Sequence, residues 1–541
     1  MRVNNNIKKT VISKKKAYSV ICLFLSLTIF LTSCSLFGTS ITDLVGELET
    51  TAPEETEQKD TTFRLPYSLS DTLDIYGVES RVNNDLASLC YDGLIKVNSS
   101  WDAECNLAES FEKKNATVIF KISDKAVFSD GTPVTAADCA YSFGLAQTGK
   151  RYSRFFESIL SFRATGEKTF SVTFSHQAQQ YINLCAVPIV KSGTGSLLGT
   201  AIGAGKYKAE KTDENIILTV NAYREEMKDA KLQKIEAVGY TTPGDMMSDF
   251  NYGGTDALYA DLSDGSSKYR GGSELSAFTT NSAIILVVNP NRPFFASYKN
   301  VCKGFTVGID RDLLYNEALR GCAVMTWAPF NPSWSRTIEA NLSDSNYDKA
   351  AAERFFYDAR LYKDENWQYE YYGSKVNLRI VVDSDNRNHT ALAQALSAQL
   401  TEMGFSTTVR QLASESYAEA VANKNYDILI AEVDIGYDMD IRHVFDEIGY
   451  DAGQTAFSAA LEAFANGTAD IKTVLELFSE AMPFIPICYT RRRLLSISRS
   501  RVKWNRAKIS FSQRSKRGTK VEISVKQARK YVTNGSLERY I

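Results

Sequence analysis

Histidine is scarce in this chain. Only His176, His389 and His443 occur in 541 residues, far apart in sequence. That spacing argues against a histidine-built metal site. Charge of one sign is lacking too: the net charge is −2, and no polybasic block opens the chain after its first apolar stretch. Nucleic acid is therefore not an implied partner. No HExxH, GxSxG or Walker A pattern occurs, so no local motif organises a nucleophile, a catalytic metal or a phosphate cradle. An extracellular hydrolase is disfavoured on that ground. Cysteine is present but unorganised. Beyond residue 34 stand Cys90, Cys105, Cys139, Cys185, Cys302, Cys322 and Cys488. Their number is odd, and no pair has CxxC or zinc-ligand spacing. They read as scattered small hydrophobes of a core. One disulfide has room to form, and the spacing assigns none.

What is present begins with a leader. Arg2, Lys8, Lys9, Lys14, Lys15 and Lys16 precede an apolar run from Ala17 to Leu31, which ends in Leu31-Thr32-Ser33-Cys34. The run is shorter than the ~20 residues a spanning helix needs. Residues 1–33 read as a secretory signal peptide. The other reading is an uncleaved anchor with a chance cysteine; both leave the bulk of the protein outside the cytoplasm. Residues 34–62 follow, rich in Thr and Glu and poor in large apolar side chains after Leu48. Such a stretch cannot bury enough apolar surface to fold, and it reads as a tether.

Phe128 to Phe143, FSDGTPVTAADCAYSF, is the most legible local piece. The alternation of Thr117–Ile122 predicts a strand ahead of it. Ser129-Asp130-Gly131 predicts a turn. Thr135 and Asp138 have the spacing of a capping box, so a helix carrying Tyr141 and Phe143 should follow. Lys168 to Phe174 alternates as a strand, and Ser282 to Val288 is apolar throughout, as in a strand buried on both faces. Asp348 to Arg360 has helical spacing. Then comes an α/β alternation: strand Leu378–Val382, helix Thr390–Met403 with Gly404 as its C-cap, strand Phe405–Leu412, helix Ser416–Ala422 and strand Asp427–Val433. That order predicts a parallel sheet covered by helices, with ligands beyond the carboxyl ends of its strands. The acidic segment just after the last strand, Ala431 to Asp440, is therefore the leading site candidate. From Arg491 to Arg517 the chain is strongly basic. This reads as a solvated face balancing acidic patches, or as a surface attracted to anionic lipid or an acidic partner.

The Phe128–Phe143 stretch closely resembles the signature segment of the family 5 extracellular solute-binding proteins, which include oligopeptide-, dipeptide- and nickel-binding lipoproteins of ABC importers. The resemblance extends from about Phe63 to about Trp504. Tyr91-Asp92-Gly93-Leu94 and Leu107–Phe111 resemble the family's YEGL and LAESW segments. Ile202–Lys208, IGAGKYK, resembles its GTGPY turn, departing at Ala204 and Lys206. Asn221-Ala222-Tyr223, Gly254–Asp256, Arg292–Phe295, Gly308–Arg311 and Leu475–Pro486 resemble further family landmarks.

The resemblance implies an α/β, periplasmic-binding-protein-like type II (cluster C) fold, with two lobes joined by a hinge and an extra small domain. It implies a first domain built from 63–90, 196–280 and 486–541, the last piece including the basic tail. A second domain would span 91–195 and a third 281–485. It implies a lipid on Cys34, and an outward-facing monomer that captures a peptide or similar small solute and delivers it to ABC permease subunits. No enzyme activity, metal or cofactor is implied. In peptide-binding members an aspartate in a W-x-x-D-Y-x-x-P segment pairs with the ligand's α-ammonium. Alignment puts Asp438 at that anchor, with Ile435 and Arg442 where the tryptophan and proline would stand. Asp434 and Asp440 are rival anchors, and Tyr437 adjoins them. Tyr141, Trp327 and Trp334 are secondary ligand-contact candidates, since aromatics give broad apolar contact. The departures also fit an alternative: a surface lipoprotein that keeps the fold but no longer transports, serving as a sensor or interaction partner.

Overall fold

The computed structural model describes residues 62–212, 215–261, 272–319, 323–340 and 347–497. The signal peptide, Cys34, the tether apart from Thr62, Cys322 and the basic stretch from 498 onward lie outside the described residues. Among those described, no helix is long and apolar enough to cross a membrane.

Two hydrophobic cores organise the chain. One gathers buried side chains from Phe63 to Ala257 together with Ala465 and Leu494. The other draws chiefly on Ala283 to Tyr489. The first core lies against two four-stranded sheets. One contains Thr62–Ser68, Lys234–Tyr240, Ile216–Val220 and Tyr207–Lys211; the other contains Ala108–Lys114, Thr117–Ile122, Thr169–Phe174 and Ile159–Ala164. Pieces expected in separate first and second domains thus share one core.

The signature stretch is the corner its residues predict. Val118, Phe120 and Ile122 are buried on one side of their strand. Gly131 turns the chain at φ +83°. The capping box forms: the Thr135 amide donates to Asp138 Oδ2 at 3.0 Å and the Asp138 amide to Thr135 Oγ1 at 3.4 Å, opening helix Ala136–Thr148. Asp138 also accepts the Ser192 amide at 2.9 Å. Lys191 pairs with Asp130 at 2.5 Å. Strand, turn and helix are thereby tied to the loop that precedes Gly203.

The second core packs against a seven-stranded sheet in the order Ala257–Asp261, Ile485–Ile497, Gly272–Val288, Ile428–Asp434, Asn377–Asp383, Ser406–Leu412, with Ala323–Met325 also paired to Ile485–Ile497. The predicted α/β run is present, and its three strands are parallel. The sheet as a whole is mixed, which corrects the expectation of a parallel one. Gly272–Val288 runs antiparallel to Ile428–Asp434, and Ile485–Ile497 antiparallel to Gly272–Val288. Right-handed crossover helices enforce parallel pairing only between the strands they connect. The two long strands arrive from the other lobe and escape that constraint. Helix Arg387–Met403 starts earlier than its apolar periodicity suggests because Asn386 caps it, accepting the amides of Asn388 and His389. Gly404 closes it at φ +113°.

Two glycines give opposite expectations. A Cβ on Gly203 would sit 2.1 Å from the Cys90 carbonyl oxygen, whereas one on Gly144, inside helix Ala136–Thr148, meets nothing within 4 Å. Gly203→Ala should destabilise the protein by ~1–3 kcal/mol through overpacking. Gly144→Ala should stabilise it by up to ~1 kcal/mol through helix propensity. Urea midpoints moving in opposite directions would bear this out; equal shifts would not.

Candidate functional site

The chain passes between the cores on two strands, and the crossing is built from irregular pairing. Gly272–Val288 pairs with Ile485–Ile497 up to Thr279↔Arg491, then resumes at Ala283↔Tyr489. The residues between form a bulge, which breaks the ladder and lets the strand bend. Its polar groups are held individually. Thr280 Oγ1 donates to the Thr490 carbonyl at 3.1 Å. Asn331 Nδ2 donates to the Thr280 carbonyl at 2.8 Å and to Asn281 Oδ1 at 3.0 Å. Asn281 Nδ2 in turn donates to the Gly436 carbonyl.

Against this bulge lies a cavity of about 710 Å³, with Phe278 to Ser282 forming one wall. The volume is in the range of small-molecule sites, roughly 300–1,000 Å³. Its other walls come from helix Arg81–Ser88, the Arg151–Phe155 turn, and Asp434, Gly436 and Tyr437. Both lobes therefore contribute.

Tyr437 joins the lobes beside the cavity. It packs against both cores. Its ring meets Trp101 edge-on at 5.8 Å and Phe155 at 5.4 Å. Asn183 Nδ2 donates to the Trp101 carbonyl at 2.8 Å and to the Tyr437 carbonyl at 3.0 Å. A second, polar bridge lies nearby. Tyr181, from the first lobe, donates to Asp440 Oδ2 at 3.0 Å, and Arg442 Nη2 donates to the Tyr181 hydroxyl at 3.1 Å. Arg442 also forms ion pairs with Asp440 and Glu462. Burial works against the charge on Asp440, but the Arg442 guanidinium prevails and holds its carboxyl below the ordinary range.

The acidic segment thus divides its labour. Asp434 ends its strand opposite Ser282 and lines the cavity, as does Tyr437. Asp440 is engaged in the polar bridge. Asp438 is outside the cavity lining; its Oδ1 accepts the Asp440 amide at 3.3 Å. Burial, reinforced by the Asp440 charge, pushes its carboxyl up to about 7, while Arg154 pulls the other way. The aromatic candidates lie elsewhere. The Tyr141 hydroxyl accepts the Gly195 amide at 3.3 Å. Trp334 is 1% exposed, between Phe330 and Phe464 in the second core. Trp327 lies under the Arg311 guanidinium at 3.5 Å. Trp101, Phe155, Asn281, Arg151 and Arg154 line the cavity without having been singled out in the sequence. The pair Arg151-x-x-Arg154 just after the signature helix was a readable signal, though its spacing alone does not separate a binding pair from a solvated turn.

A family model described as bacterial extracellular solute-binding proteins, family 5 middle, matches residues 103–443. The oligopeptide-binding protein OppA of Bacillus subtilis (strain 168) is 28% identical over 131 residues, spanning 24% of this chain and 23% of that relative. The match thus covers about a quarter of the curated relative's length. Among solved structures, NikA from Brucella suis in complex with Fe(III)-EDTA superposes with a TM-score of 0.65 at 15% identity, covering 80% of this chain and 95% of that one. AppA from Bacillus subtilis in complex with a nonapeptide superposes with a TM-score of 0.55 at 15% identity, covering 80% and 94%. At these identities the superpositions establish the fold.

The raised carboxyl of Asp438 fixes a pH dependence. Between its unfolded value near 4 and its folded value near 7, the native state holds a proton that the unfolded chain releases. Its stabilising contribution is full below the lower value and is lost as pH rises through the upper one. Asp438→Asn removes the buried charge. The variant should melt above the wild type at pH 8, with the difference shrinking toward pH 4. A constant difference across that range would refute the assignment.

Proposed function

Because the chain belongs to the bacterial extracellular solute-binding proteins of family 5, we propose that it captures a peptide or similar small solute between its lobes and delivers it to a membrane permease of an ABC importer. The observation that carries this reading is the cavity at the strand crossing, walled by both lobes. Two strands and one bulge leave few backbone dihedrals to turn when the lobes part, which is the arrangement of a hinge. Similar folds hold a nonapeptide in one case and Fe(III)-EDTA in another, so the architecture accommodates both peptides and non-peptide solutes.

The reading includes a lipid on Cys34 that keeps a monomeric protein on the outer face of the membrane. Acyl chains at ~0.8 kcal/mol per buried methylene would hold it there. Binding, with no bond made or broken, is the proposed mechanism. Burial pushes the thiols of Cys90, Cys139, Cys185 and Cys488 well above their ordinary value, and that of Cys302 up to about 12. Such thiols stay protonated and are poor nucleophiles. Among the described residues no group of three or more His, Cys, Asp and Glu could hold a metal ion.

The test uses Tyr437→Ala. Its ring packs on Phe155 of the first core and on Trp101, which is buried in the second core, so it spans the contact between them, and truncation should penalise the closed state selectively. In a fluorescence titration with a mixed tripeptide library, the apparent Kd should rise about tenfold, on the scale of aromatic contacts at ~0.5–1.5 kcal/mol each, with the circular dichroism unchanged. Unaltered affinity in a wild type that binds would contradict closure through Tyr437.

A further inference from the structure

The short hairpin of strands Ile95–Val97 and Ala103–Cys105 is rooted in the first lobe, but its tip is not. Leu94, Ile95, Leu107 and Ala108 are buried in the first core, whereas Trp101, at the tip, is 7% exposed and buried in the second. Two bonds fasten the tip to the second lobe, both at the start of helix Ser335–Glu339. The Ser335 amide donates to the Ser100 carbonyl at 3.0 Å, and the Ser335 hydroxyl donates to Asp102 Oδ1 at 3.0 Å. Burial pushes the Asp102 carboxyl up, while Ser335 and Arg336 pull the other way. One turn of the first lobe thus enters the second with an apolar ring, a backbone bond and a side-chain bond.

The turn is built to present that ring. Asn98 Oδ1 accepts the amides of Ser100 and Asp102 at 2.8 and 3.0 Å, and the Asn98 amide donates to the Asp102 carbonyl at 2.9 Å. Inside this turn Trp101 stands at φ +60°. Left-handed backbone costs a bulky residue sterically and costs glycine nothing. Such strain persists only where surrounding contacts over-determine it, and it gathers at clamps and switches. Here the second lobe supplies those contacts. The ring carries a second cost. Its indole N–H is buried without an acceptor among the described residues, and water would satisfy it once the lobes part. Apolar burial of the ring is therefore opposed by a strained backbone and a stripped donor, which leaves the tip's hold weak enough to release. Trp101 also lines the cavity, so a solute there meets the ring in its seated position.

Resting on the solute-capture reading, we propose that the turn from Asn98 to Asp102 is a closure latch: Trp101 seats in the second lobe when the lobes close, withdraws when they part, and so sets the balance of open and closed forms in the ligand-free protein. A solute shifts that balance only by what it gains in the closed state. Contact with the seated ring is one such gain, so Trp101 acts on the hinge as well as on the solute. Its loss lowers the fraction of binding-competent protein and weakens the apparent affinity in proportion.

The test is hydrogen exchange read by mass spectrometry on the ligand-free full chain, as the wild type, Trp101→Gly and Ser335→Ala. The Ser335 amide is the first of its helix and has no acceptor within it, so its protection comes from Ser100 across the lobes. Glycine adopts φ +60° freely, so Trp101→Gly keeps the turn. In that variant exchange across residues 333–340 should run about tenfold faster than in the wild type, while strand Thr117–Ile122 in the first core stays unchanged. Ser335→Ala drops only the hydroxyl bond to Asp102 and should speed the same region by a smaller factor. In a titration with a mixed tripeptide library, Trp101→Gly should bind about tenfold more weakly, and the library should slow exchange across 333–340 in the wild type. Equal exchange there in all three proteins would overturn the latch and leave solute capture standing. If Trp101→Gly raises exchange everywhere, Ser335→Ala decides: acceleration confined to 333–340 supports the latch, and none overturns it. A library that leaves the wild type unaltered, while Trp101→Gly exchanges faster only at 333–340, would count against peptide capture and keep the latch.

Discussion

The rest of the structure depends on how two strands pass between two cores. Gly272–Val288 and Ile485–Ile497 are antiparallel partners in both lobes, and between Thr279 and Ala283 their ladder breaks. A regular ladder there would weld the lobes into one rigid sheet. A bulge instead leaves backbone polar groups that side chains must satisfy one by one. The Thr280 hydroxyl donates to the Thr490 carbonyl and the buried Asn331 amide to the Thr280 carbonyl. The same irregularity opens the space that becomes the cavity. Hinge and site are therefore one feature of the backbone.

Around this feature the two lobes meet through different physics on its two sides. Tyr437 brings an aromatic contact that is indifferent to pH and salt. Asp440, Arg442, Tyr181 and Glu462 bring a charged one, in which each member offsets the desolvation of another. The two contacts share no side chain, so one substitution breaks either and leaves the other in place.

Much of the fold was legible because local rules and tertiary packing agree. The alternation of Thr117–Ile122, the Thr135–Asp138 box and the αL Gly404 each produced the element they encode. The family landmarks were legible for the same reason, since turns and caps are short-range. The mixed character of the large sheet was not, because strand direction there is set by chain entry from the other lobe. The site was legible only in part. Asp434 and Tyr437 follow a strand whose carboxyl end could be placed, and both line the cavity. Asp438 and Asp440 are nearly adjacent to them in sequence, yet one lies off the lining and the other is consumed by Arg442. Two residues of loop are enough to turn a carboxylate away from a cavity. Trp101, Arg151 and Arg492 come from three distant segments, and nothing in one sequence shows that they converge.

The most direct test of solute capture is native mass spectrometry on the protein purified gently from its own culture, without refolding. A solute enclosed between two lobes should survive purification. Solute capture predicts one adduct per chain, of a mass that a cavity of about 710 Å³ can hold, and its loss on denaturation. A bare mass that stays bare after incubation with culture extract would contradict it.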